Sequence, residues 1–468
     1  MSESSNTVRD YREFIRRKSQ IGENSGFDPV WLPDFLFDFQ RSLCEWAIQK
    51  GRGAILADCG LGKTPMQLVW AENAVRQTNK PVMIATPIAV GQQTLQEAEK
   101  FGITAKRTRD GVMTDEACVW VTNYEQLHKY DPSKFAGFVG DESSAIKDFK
   151  TERKASVVEF TRTLPYRLLC TATAAPNDFW ELGTSSEALG YLGYRDMITT
   201  FFKQVESGGA RWSGIHGMKY RFRGHAEQPF WSWVCSWARS LRKPSDLGFD
   251  DSRFSLPQLI ETDHVVSAEK PQLGQLFAMP ARDMREERAE RRHTIKERCD
   301  RAAELAMSTD EPSVLWVELN DEGNELESLL SDCVQVTGSM KDEAKEEALV
   351  AFGRGQIKRL IIKPKIGAWG LNWQHCRNVI VFPSHSFESY YQLVRRCYRF
   401  GQTKDVTVHR ILSEGEQHIL ANLKRKQAQA EKMFADIVAH MKDSLHLVSK
   451  DFFPETERIP SWLSSTKC

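Results

Sequence analysis

Short apolar runs alternate with amphipathic segments along two long stretches of the chain. In the first stretch, residues 27–166, apolar runs at 53–57, 82–85 and 119–121 are separated by segments with helical spacing. Between residues 314 and 412 the same alternation returns. Strands that alternate with helices are typical of βαβ units, which build a parallel sheet with helices on both faces. The pattern therefore predicts an α/β fold in both stretches.

One segment breaks this alternation with a mixture of basic and aromatic residues. Residues 203–243 hold eight Lys or Arg against two acids, and aromatic residues are interleaved with them. Basic side chains can follow phosphates, and aromatic rings can stack on bases or wedge into a duplex. The residues predicted to contact nucleic acid are Arg211, Lys219, Arg221 and Arg223. The alternative is a solvated basic surface. Trp233 and Trp237, four residues apart, are predicted to lie on the buried face of a helix.

The composition limits the classes to which the protein can belong. With 468 residues, the chain is expected to form two or three domains. No apolar stretch approaches the length of a membrane span, and the N-terminus lacks the pattern of a signal peptide. Ten cysteines without Cys-x-x-Cys pairs favour reduced thiols and argue against zinc. We therefore expect no membrane association and a reducing, cytosol-like location.

A glycine-containing turn after one apolar run has the form of a phosphate-binding loop. The run at 53–57 is followed by Asp58-Cys59-Gly60-Leu61-Gly62 and then by Lys63-Thr64. Glycine permits a close approach of backbone N–H groups to phosphate, Lys63 can neutralise the β- and γ-phosphates, and Thr64 can offer a hydroxyl to Mg²⁺. The predicted ATP-binding residues are Gly60, Leu61, Gly62, Lys63 and Thr64. The alternative is a turn that precedes a lysine by chance.

An acidic pair follows a later apolar run, and a glutamine precedes the phosphate-binding loop. We assign Asp141 to Mg²⁺ and Glu142 to the activation of water as a general base. Taken alone, such a pair is also common in solvated loops. The amide of Gln40 offers one donor and one acceptor, which can match an adenine edge. The alternative for Gln40 is an exposed residue at the start of a helix.

These motifs resemble, in their order along the chain, those of superfamily 2 helicases, most closely the Swi/Snf-type branch. The segments that carry the resemblance are Phe39-Gln40, 57–64, Ala85-Thr86-Pro87, 121–125, Asp141-Glu142-Ser143-Ser144, 170–173, 314–317, 367–372 and 392–402. The sequence Arg399-Phe400-Gly401-Gln402 is the match most specific to the branch. In its compactness, without an expected reader domain for chromatin, the chain resembles short stand-alone bacterial or bacteriophage members. This resemblance implies a location in the cytoplasm of a bacterial or phage-infected host cell, with a nucleus as the alternative.

The resemblance implies a fold and further roles. It implies two tandem RecA-like lobes, with ATP and Mg²⁺ in the cleft between them. Arg396 and Arg399, which helical spacing puts on one face, would be arginine fingers that reach the γ-phosphate. The alternative is that Arg395 and Arg396 form an ordinary solvated pair. The other implied roles are contact with nucleic acid for Thr86, Pro87, Lys363 and Lys365, coupling for Thr171, Thr173 and Gln392, and nucleotide binding for Gly370.

The chain also departs from the branch at several positions. Arg395 stands where the branch often has an acid, and Ser143-Ser144 stand where it commonly has a small residue followed by His or Gln. Lys363-Pro364-Lys365 replaces a hydroxyl-bearing stretch, although two lysines can still hold a phosphate as point charges. Trp369 is bulky for a tight loop, and nothing in the sequence explains it.

The motifs divide the chain into segments. We expect a polar tail at 1–26, a first ATP-binding lobe at 27–255 with the basic and aromatic insertion at 203–243, a second lobe at 256–448, and a C-terminal tail at 449–468. The second lobe would be entered through a charged helical segment at 268–306, in which alternating acids and bases predict exposure to solvent.

The function expected from the motifs is that of an ATP-hydrolysing motor on DNA, with duplex DNA favoured over single-stranded DNA or RNA. Strand-separating helicases and duplex translocases share these motifs. The formal net charge of zero argues against a uniformly basic binder and leaves room for a local basic groove. Two alternatives are an ATP-gated scaffold and the motor subunit of a nuclease or restriction-like assembly, with the nuclease in a separate chain. A replication or recombination partner is also possible.

Overall fold

The computed structural model describes residues 24–87, 90–114, 116–175, 178–205, 219–268, 284–367 and 372–447. Two predicted site residues, Arg211 and Gly370, lie outside these ranges, as do the C-terminal tail and most of the N-terminal tail. For Lys219 the backbone is described and the side chain is not.

The first lobe is built on a seven-stranded parallel sheet. Its strands, numbered in chain order through the whole protein, are β1 (Arg52–Ala57), β2 (Val82–Thr86), β3 (Ala105–Arg107), β4 (Val119–Asn123), β5 (Gly137–Asp141), β6 (Tyr166–Cys170) and β9 (Ala238–Leu241). They pair in the order β3-β4-β2-β5-β6-β1-β9, and every pair is parallel. Because β6 lies between β1 and β5, the segments that follow these three strands come together at one edge of the sheet.

Helices cover both faces of this sheet. They are α1 (Asp38–Lys50), α2 (Lys63–Thr78), α3 (Gly91–Lys100), α4 (Glu152–Thr161), α5 (Leu182–Leu189), α6 (Tyr194–Phe201) and α7 (Glu227–Trp237). Short 3₁₀ turns lie at Tyr124–Lys129, Pro132–Lys134, Ser143–Ile146, Phe179–Glu181, Pro244–Leu247 and Ser252–Phe254. Alternate residues of β1 enter opposite hydrophobic clusters, with Ala54 and Leu56 in one and Ile55 and Ala57 in the other. A strand buried on both faces explains the unbroken apolar run at 53–57.

The second lobe repeats this architecture with six parallel strands. The strands are β10 (Leu259–Val266), β11 (Ser313–Trp316), β12 (Cys333–Val336), β13 (Arg359–Ile362), β14 (Asn378–Val381) and β15 (Val406–Ser413). They pair in the order β10-β15-β14-β11-β13-β12. The helices are α8 (Met284–His293), α9 (Ile295–Met307), α10 (Asn320–Leu329), α11 (Asp342–Gly353), α12 (Pro364–Gly367), α13 (Phe387–Val394) and α14 (Gln417–Leu447), with a 3₁₀ turn at Glu414–Glu416. The predicted α/β fold with two RecA-like lobes is confirmed.

The charged segment that enters the second lobe is described only from residue 284. From there it is helical, as predicted, but its charges are not all exposed. Arg298 in α9 is completely buried, and its guanidinium donates to Glu322 at 2.6 Å. Arg291 in α8 is 6% exposed and donates to Glu416 at 2.5 Å. The prediction of a solvent-exposed helix was therefore wrong at these positions. Each buried charge has an opposite charge within hydrogen-bonding distance, which offsets the cost of its desolvation.

The basic and aromatic insertion forms a hairpin that packs on α7. Strands β7 (Phe202–Val205) and β8 (Lys219–Phe222) pair antiparallel, with Phe202 opposite Phe222. The rings of these two residues lie 4.7 Å apart, and each lies 5.3 Å from the ring of Phe230 in α7. Trp233 and Trp237 are 4% and 0% exposed, so their predicted burial is confirmed. The aromatic residues of this segment that the structure describes thus build a core beneath the hairpin.

The long helix α14 begins in the second lobe and ends against the first. Near its start, Leu423 packs in the core of the second lobe. Farther along, Met433, Ile437 and Met441 are buried with residues of α7 and the first sheet. The thiol of Cys235 in α7 also donates to the carbonyl oxygen of Ile437 at 3.6 Å. One helix therefore connects the cores of both lobes.

Across the described parts of the chain, no helix has both the length and the apolar character that crossing a bilayer requires. The nine cysteines in those parts are all free thiols, and seven of them are completely or almost completely buried in hydrophobic clusters: Cys44, Cys118, Cys170, Cys235, Cys299, Cys376 and Cys397.

Candidate active site between the lobes

The loop between β1 and α2 brings backbone N–H groups to the carboxyl edge of the first sheet. Gly60 and Gly62 have φ angles of 86° and 75°, which favour glycine because a Cβ atom is strained there. A Cβ atom on Gly62 would also lie 2.2 Å from the amide nitrogen of Gln40. Gly62 directly precedes α2, and the unpaired N–H groups and dipole of a helix N-terminus attract phosphate. The loop can therefore cradle an anion.

Lys63, the first residue of α2, holds its amine over this loop. The amine donates to the carbonyl oxygens of Ala57 at 3.0 Å and of Asp58 at 3.4 Å. Burial lowers the pKa of Lys63, but negative charge at Cys59, Glu142, Asp141 and Asp58 more than compensates, so the pKa lies above its usual value. Because burial raises the pKa of the Cys59 thiol, the carboxylates supply the charge at neutral pH. The lysine stays cationic within the site.

Asp141 ends β5 as a buried carboxylate. It accepts a hydrogen bond from the Gln67 amide at 2.6 Å, and its backbone carbonyl accepts one from the Tyr124 hydroxyl at 2.6 Å. Burial and the charge of Glu142 raise the pKa of Asp141 to about 6, although Gln67 and Lys63 act in the opposite direction. Desolvation thus makes this carboxylate unfavourable by itself, and a bound cation would stabilise it.

Glu142 has a backbone conformation that is rare for its residue type. Its φ angle is 47°, in the left-handed region, where residues other than glycine are strained. Its carboxylate accepts a hydrogen bond from the Thr171 hydroxyl at 3.3 Å, and this hydroxyl accepts one from the Thr173 N–H group at 3.0 Å. Both threonines are buried. The segment after β6 therefore contacts the acidic pair directly.

Two arginines of the second lobe lie close to these groups. Arg396 and Arg399 follow α13, and Arg396 is 4% exposed. Burial lowers the pKa of both guanidinium groups, while Cys59 and Glu142 of the first lobe act on both in the opposite direction. The backbone between the lobes is also close, because a Cβ atom on Gly60 would lie 2.8 Å from the backbone nitrogen of Phe400. The second lobe therefore covers the loop after β1.

A charged contact that the sequence analysis did not predict joins this loop to the second lobe. Asp58 pairs with Arg395 at 2.7 Å, and the Tyr391 hydroxyl donates to the same carboxylate. The Arg395 guanidinium lies 5.1 Å and 5.2 Å from the ring centroids of Tyr391 and Tyr398. Burial by itself would lower the pKa of Arg395. Asp58 and Tyr391 raise this pKa by more than burial lowers it, so it lies above its usual value. The alternative of a solvated Arg395-Arg396 pair is thus contradicted.

Gln40 packs against the phosphate-binding loop. Its amide nitrogen donates to the carbonyl oxygen of Leu61 at 2.9 Å, and its amide oxygen accepts from the Phe37 N–H group at 3.1 Å. The residue is 4% exposed, which excludes the alternative of an exposed glutamine. Its role in reading adenine remains a prediction.

The residues expected to contact nucleic acid have different surroundings. The Thr86 hydroxyl is buried and donates to the carbonyl oxygen of Pro87 at 3.0 Å. Lys363 is half-buried where β13 ends, whereas Lys365 in α12 is exposed. Gln392, assigned to coupling, is 2% exposed within α13. Of these side chains, that of Lys365 is the most accessible to a phosphate.

The hairpin of the first lobe presents basic side chains to solvent. Arg221 and Arg223 are exposed, and Lys203 lies opposite Arg221 in the register of the hairpin and is also exposed. The Arg223 guanidinium donates to the carbonyl oxygen of Phe202 at 2.8 Å, which orients its stem. The hairpin thus combines an aromatic underside with a basic outer surface.

Sequence reasoning missed several residues of the cleft. Gln67 could have been found, because it lies one helical turn after Lys63 and is a polar residue within an otherwise apolar helix face. Asp58 and Arg395 pair over a separation of 337 residues. No local pattern predicts which of several charges form such a pair.

The oxygen atoms at the carboxyl edge of the first sheet fit a magnesium ion. Mg²⁺ prefers hard oxygen ligands and is bound in nucleotide sites by one or two protein groups together with phosphates. Asp141 supplies a desolvated carboxylate, and Thr64 supplies a hydroxyl from the first turn of α2. These are the residues that would hold the ion.

Comparison with known proteins identifies one domain. The description "Helicase conserved C-terminal domain" matches residues 302–401, which lie in the second lobe. Protein p41 of Acyrthosiphon pisum secondary endosymbiont phage 1 is 23% identical to this chain in an alignment with a length of 438 residues. The alignment covers 80% of this chain and 92% of that protein. The transcriptional regulator ATRX homolog of Caenorhabditis elegans is 26% identical over 153 residues, or 31% of this chain. That match spans 11% of the relative's own length.

Two solved structures align with most of this chain, and one of them shares its fold. Saccharomyces cerevisiae Dbp5 bound to RNA and ADP BeF3 aligns with 86% of this chain and 98% of its own, with a TM-score of 0.52 and 14% identity. The Sulfolobus solfataricus SWI2/SNF2 ATPase core in complex with dsDNA aligns with 89% of this chain and 96% of its own at 17% identity, with a TM-score of 0.41. The domain match confirms the resemblance to helicases, and an ATRX homolog is among the relatives. The chain is helicase-like, and proteins of the helicase family are ATP-dependent motors.

Proposed function

We propose that this chain, as a protein that resembles the Swi/Snf-type branch of the superfamily 2 helicases, hydrolyses ATP in the cleft between its lobes and uses the energy to move along duplex DNA. The observation that carries this proposal is the meeting of two distant segments. The loop with Lys63 and the segment with Arg396 and Arg399 belong to different lobes. Asp58 of that loop nevertheless pairs with Arg395 at 2.7 Å. A Cβ atom on Gly60 would lie 2.8 Å from the backbone nitrogen of Phe400.

The described side chains support separate roles in hydrolysis. Lys63 is cationic and sits on the loop that would receive the β- and γ-phosphates. Glu142 would take the proton of the attacking water, since a carboxylate is a suitable general base at this position. Arg396 and Arg399 would stabilise the charge that develops on the transferred phosphoryl group, an effect worth about 10³–10⁵ in rate in related chemistry. Mg²⁺, held by Asp141 and Thr64, would neutralise phosphate charge.

Contacts around the threonines suggest how hydrolysis is coupled to movement. Thr171 donates to Glu142, and Thr173 bonds to Thr171. A change of the bonding partners of Glu142 during hydrolysis would therefore be transmitted to the segment after β6. The exposed basic hairpin, with Lys203, Arg221 and Arg223, offers a surface that can follow DNA phosphates.

The nucleic-acid dependence of ATP turnover tests the proposal. Duplex DNA, single-stranded DNA and RNA should be compared as stimulants of phosphate release by the purified chain, with Lys63→Ala as the inactive control. We expect the largest stimulation by duplex DNA. Equal stimulation by all three, or stimulation by RNA alone, would contradict the assignment of duplex DNA, and ATP turnover by Lys63→Ala would contradict the site itself.

Removal of one finger tests whether the lobes act together. Arg399→Ala should lower turnover by about 10²-fold or more and leave ATP binding nearly unchanged, because the lost charge acts on the transition state. Its matched control is Arg354→Ala, an exposed arginine in the same lobe after α11. If Arg399→Ala hydrolyses ATP at the rate of the parent protein, Arg399 is not a finger, and if Arg396→Ala does so as well, the second lobe does not contribute to hydrolysis.

A further inference from the structure

A second cluster of ionisable side chains lies in the second lobe, outside the ATP cleft. Glu287 comes from α8, His385 from the loop between β14 and α13, and His418 from the first turn of α14. Their potential ligand atoms all lie within 4.8 Å of one another. Within the described ranges of the chain, no other group of three such side chains comes together in this way.

We propose that Glu287, His385 and His418 form a binding site for a divalent transition-metal ion of the zinc type. Two imidazoles and one carboxylate are a ligand set that Zn²⁺ accepts, with water in the fourth position. Sequence reasoning had argued against zinc from the cysteines alone, and this site uses none of them.

The distances within the cluster suit a metal ion. The carboxylate oxygen Oε2 of Glu287 lies 2.8 Å from Nε2 of His385 and 3.8 Å from Nε2 of His418. Ligand atoms in a tetrahedral zinc site lie roughly 3.3 Å apart, given bonds of about 2 Å. A small adjustment of side-chain torsions would therefore place all three atoms around one ion.

The other nitrogen of each histidine has a partner that bears on metal binding. Nδ1 of His418 lies 3.2 Å from the carbonyl oxygen of Gly415, which requires the proton on Nδ1 and leaves the lone pair of a neutral ring on Nε2. Nδ1 of His385 lies 3.1 Å from the Asn422 amide nitrogen. A metal ion at Nε2 of His385 would move the ring proton to Nδ1. A 180° rotation of the Asn422 amide would let its oxygen accept that proton, in exchange for the hydrogen bond that this oxygen accepts from the exposed Arg425 at 3.0 Å. Such outer contacts orient metal-binding histidines.

The groups around the cluster orient the carboxylate of Glu287. Arg291 lies 3.3 Å from the other carboxylate oxygen of Glu287, and its own charge is shared with Glu416 at 2.5 Å. Oε2 of Glu287 is therefore the atom directed to the histidines. Their side chains are 33% and 22% exposed, which gives an ion access from solvent.

A metal ion at this cluster would link α8, the loop between β14 and α13, and α14. The loop of His385 leads directly into α13, after which Arg395 and Arg396 follow, and α14 continues to the first lobe. The ion would therefore stabilise the lobe that carries the proposed fingers without contacting the nucleotide. Without a metal, the same residues form a charge-paired cluster, and the experiment must distinguish these two states.

The test uses the full-length chain, free of any affinity tag that binds metal and with its thiols reduced. After removal of adventitious metal and dialysis against limiting Zn²⁺, bound metal should be measured by elemental analysis, and the spectrum of the Co²⁺ form should be recorded. We expect one ion per chain in the parent protein and loss of that ion in His385→Ala and His418→Ala. His264→Asn is the matched control, since its imidazole pairs with His409 at 3.0 Å in the same lobe and lies outside the cluster.

A conservative variant distinguishes the loss of metal binding from the loss of the fold. Glu287→Gln keeps the size of the side chain and a hydrogen-bond acceptor for His385, but it removes the charged ligand. Addition of Zn²⁺ should raise the melting temperature of the parent protein and of His264→Asn, and leave that of Glu287→Gln unchanged. The proposal is overturned if the parent protein retains no stoichiometric metal, or if the cluster variants bind as much as the parent, which would point to cysteines instead. Because the readouts are metal content and melting temperature, they do not depend on the ATPase proposal.

Discussion

At the scale of single residues, the cleft concentrates charged groups that burial makes unfavourable. The pKa of Asp141 is raised to about 6 chiefly by burial, and Glu142 adopts a strained backbone conformation beside it. Such features cluster at functional sites, where stability is lost in exchange for chemistry. Removal of the charge of Asp141 should therefore stabilise the fold while it abolishes activity.

Asp141→Asn should raise the stability of the nucleotide-free protein at pH 7 to 8. In the folded state the pKa of Asp141 is about 6 against an ordinary value of 3.8, so its protonated form is favoured by folding. The wild type consequently loses stability as pH rises through this window, by on the order of 3 kcal/mol for a single group. The variant has no such loss, so its advantage should shrink as pH falls towards 4. Melting temperatures across pH 4 to 8 measure this difference.

The control for this experiment is an exposed aspartate. Hydrogen bonds from Ser133 lower the pKa of Asp131, which is the opposite direction, so Asp131→Asn should give no gain at pH 7 to 8. A stability difference between Asp141→Asn and the wild type that does not change with pH would show that packing, and not ionisation, is responsible.

Glu142→Gln should bind ATP with near-normal affinity and hydrolyse it at least 10²-fold more slowly, because an amide cannot accept the proton of the attacking water. Binding of a fluorescent ATP analogue and single-turnover phosphate release separate the two effects. Glu152→Gln, an exposed glutamate at the start of α4, is the matched control. Loss of both binding and turnover in Glu142→Gln would indicate a structural role.

At the scale of elements, the hairpin β7–β8 is distinct from the parallel sheets that surround it. Its aromatic underside packs on α7, and its outer surface is basic. Because Phe202, Phe222 and Phe230 anchor the hairpin, its exposed charges can be changed without disturbing the core. This separation allows its role to be tested independently of the fold.

Replacement of Lys203, Arg221 and Arg223 by Gln should weaken DNA binding and flatten its dependence on salt. Each lost phosphate contact lowers the slope of log K against log salt by about 0.9 on duplex DNA. The affinity for ATP without DNA should stay unchanged. Fluorescence anisotropy with labelled duplex at several salt concentrations measures the slope.

The matched control is a triple substitution at the amino edge of the first sheet. Lys80, Lys134 and Arg162 are exposed and precede the strands β2, β5 and β6, so they lie at the amino edge, away from the ATP site. Their replacement by Gln changes the net charge equally. Equal changes of slope in both triple variants would show that the hairpin is not the DNA-binding surface.

At the scale of the whole molecule, two features hold the lobes together. Helix α14 buries Met433, Ile437 and Met441 in the core of the first lobe. Across the cleft, Asp58 pairs with Arg395 in a largely buried salt bridge, in which the side chains are 8% and 15% exposed. Removal of one partner of a buried pair is costly, because the other charge is left desolvated.

The Asp58–Arg395 pair should show strong coupling in a double-mutant cycle. Asp58→Asn and Arg395→Met should each lower kcat/KM for ATP, and the double variant should lose less than the product of the two effects. A coupling energy of about 0.5–3 kcal/mol is expected for residues in contact. Arg377→Met, which breaks a pair with Glu311 within the second lobe at 2.6 Å, should have little effect on turnover. Additive effects of the two substitutions would mean that this pair does not contribute to the active arrangement.

The sequence by itself determined the features that depend on neighbouring residues. Alternation of apolar runs and helical segments predicts two parallel sheets, because burial on both faces demands apolar strands. The glycines at 60 and 62, Lys63 and the acidic pair lie at the carboxyl ends of their strands, as a strand–turn–helix pattern requires. The burial of Trp233 and Trp237 also follows from their spacing of one helical turn.

Only the tertiary structure decided which distant residues meet. It pairs Asp58 with Arg395, buries the charges of Arg291 and Arg298 in a segment expected to be exposed, and returns α14 to the first lobe. The physical reason is that charge pairing and desolvation depend on distances in space, and a sequence pattern reports only distances along the chain. The raised pKa of Asp141 is also a consequence of the tertiary structure, because burial and not residue type is its main cause.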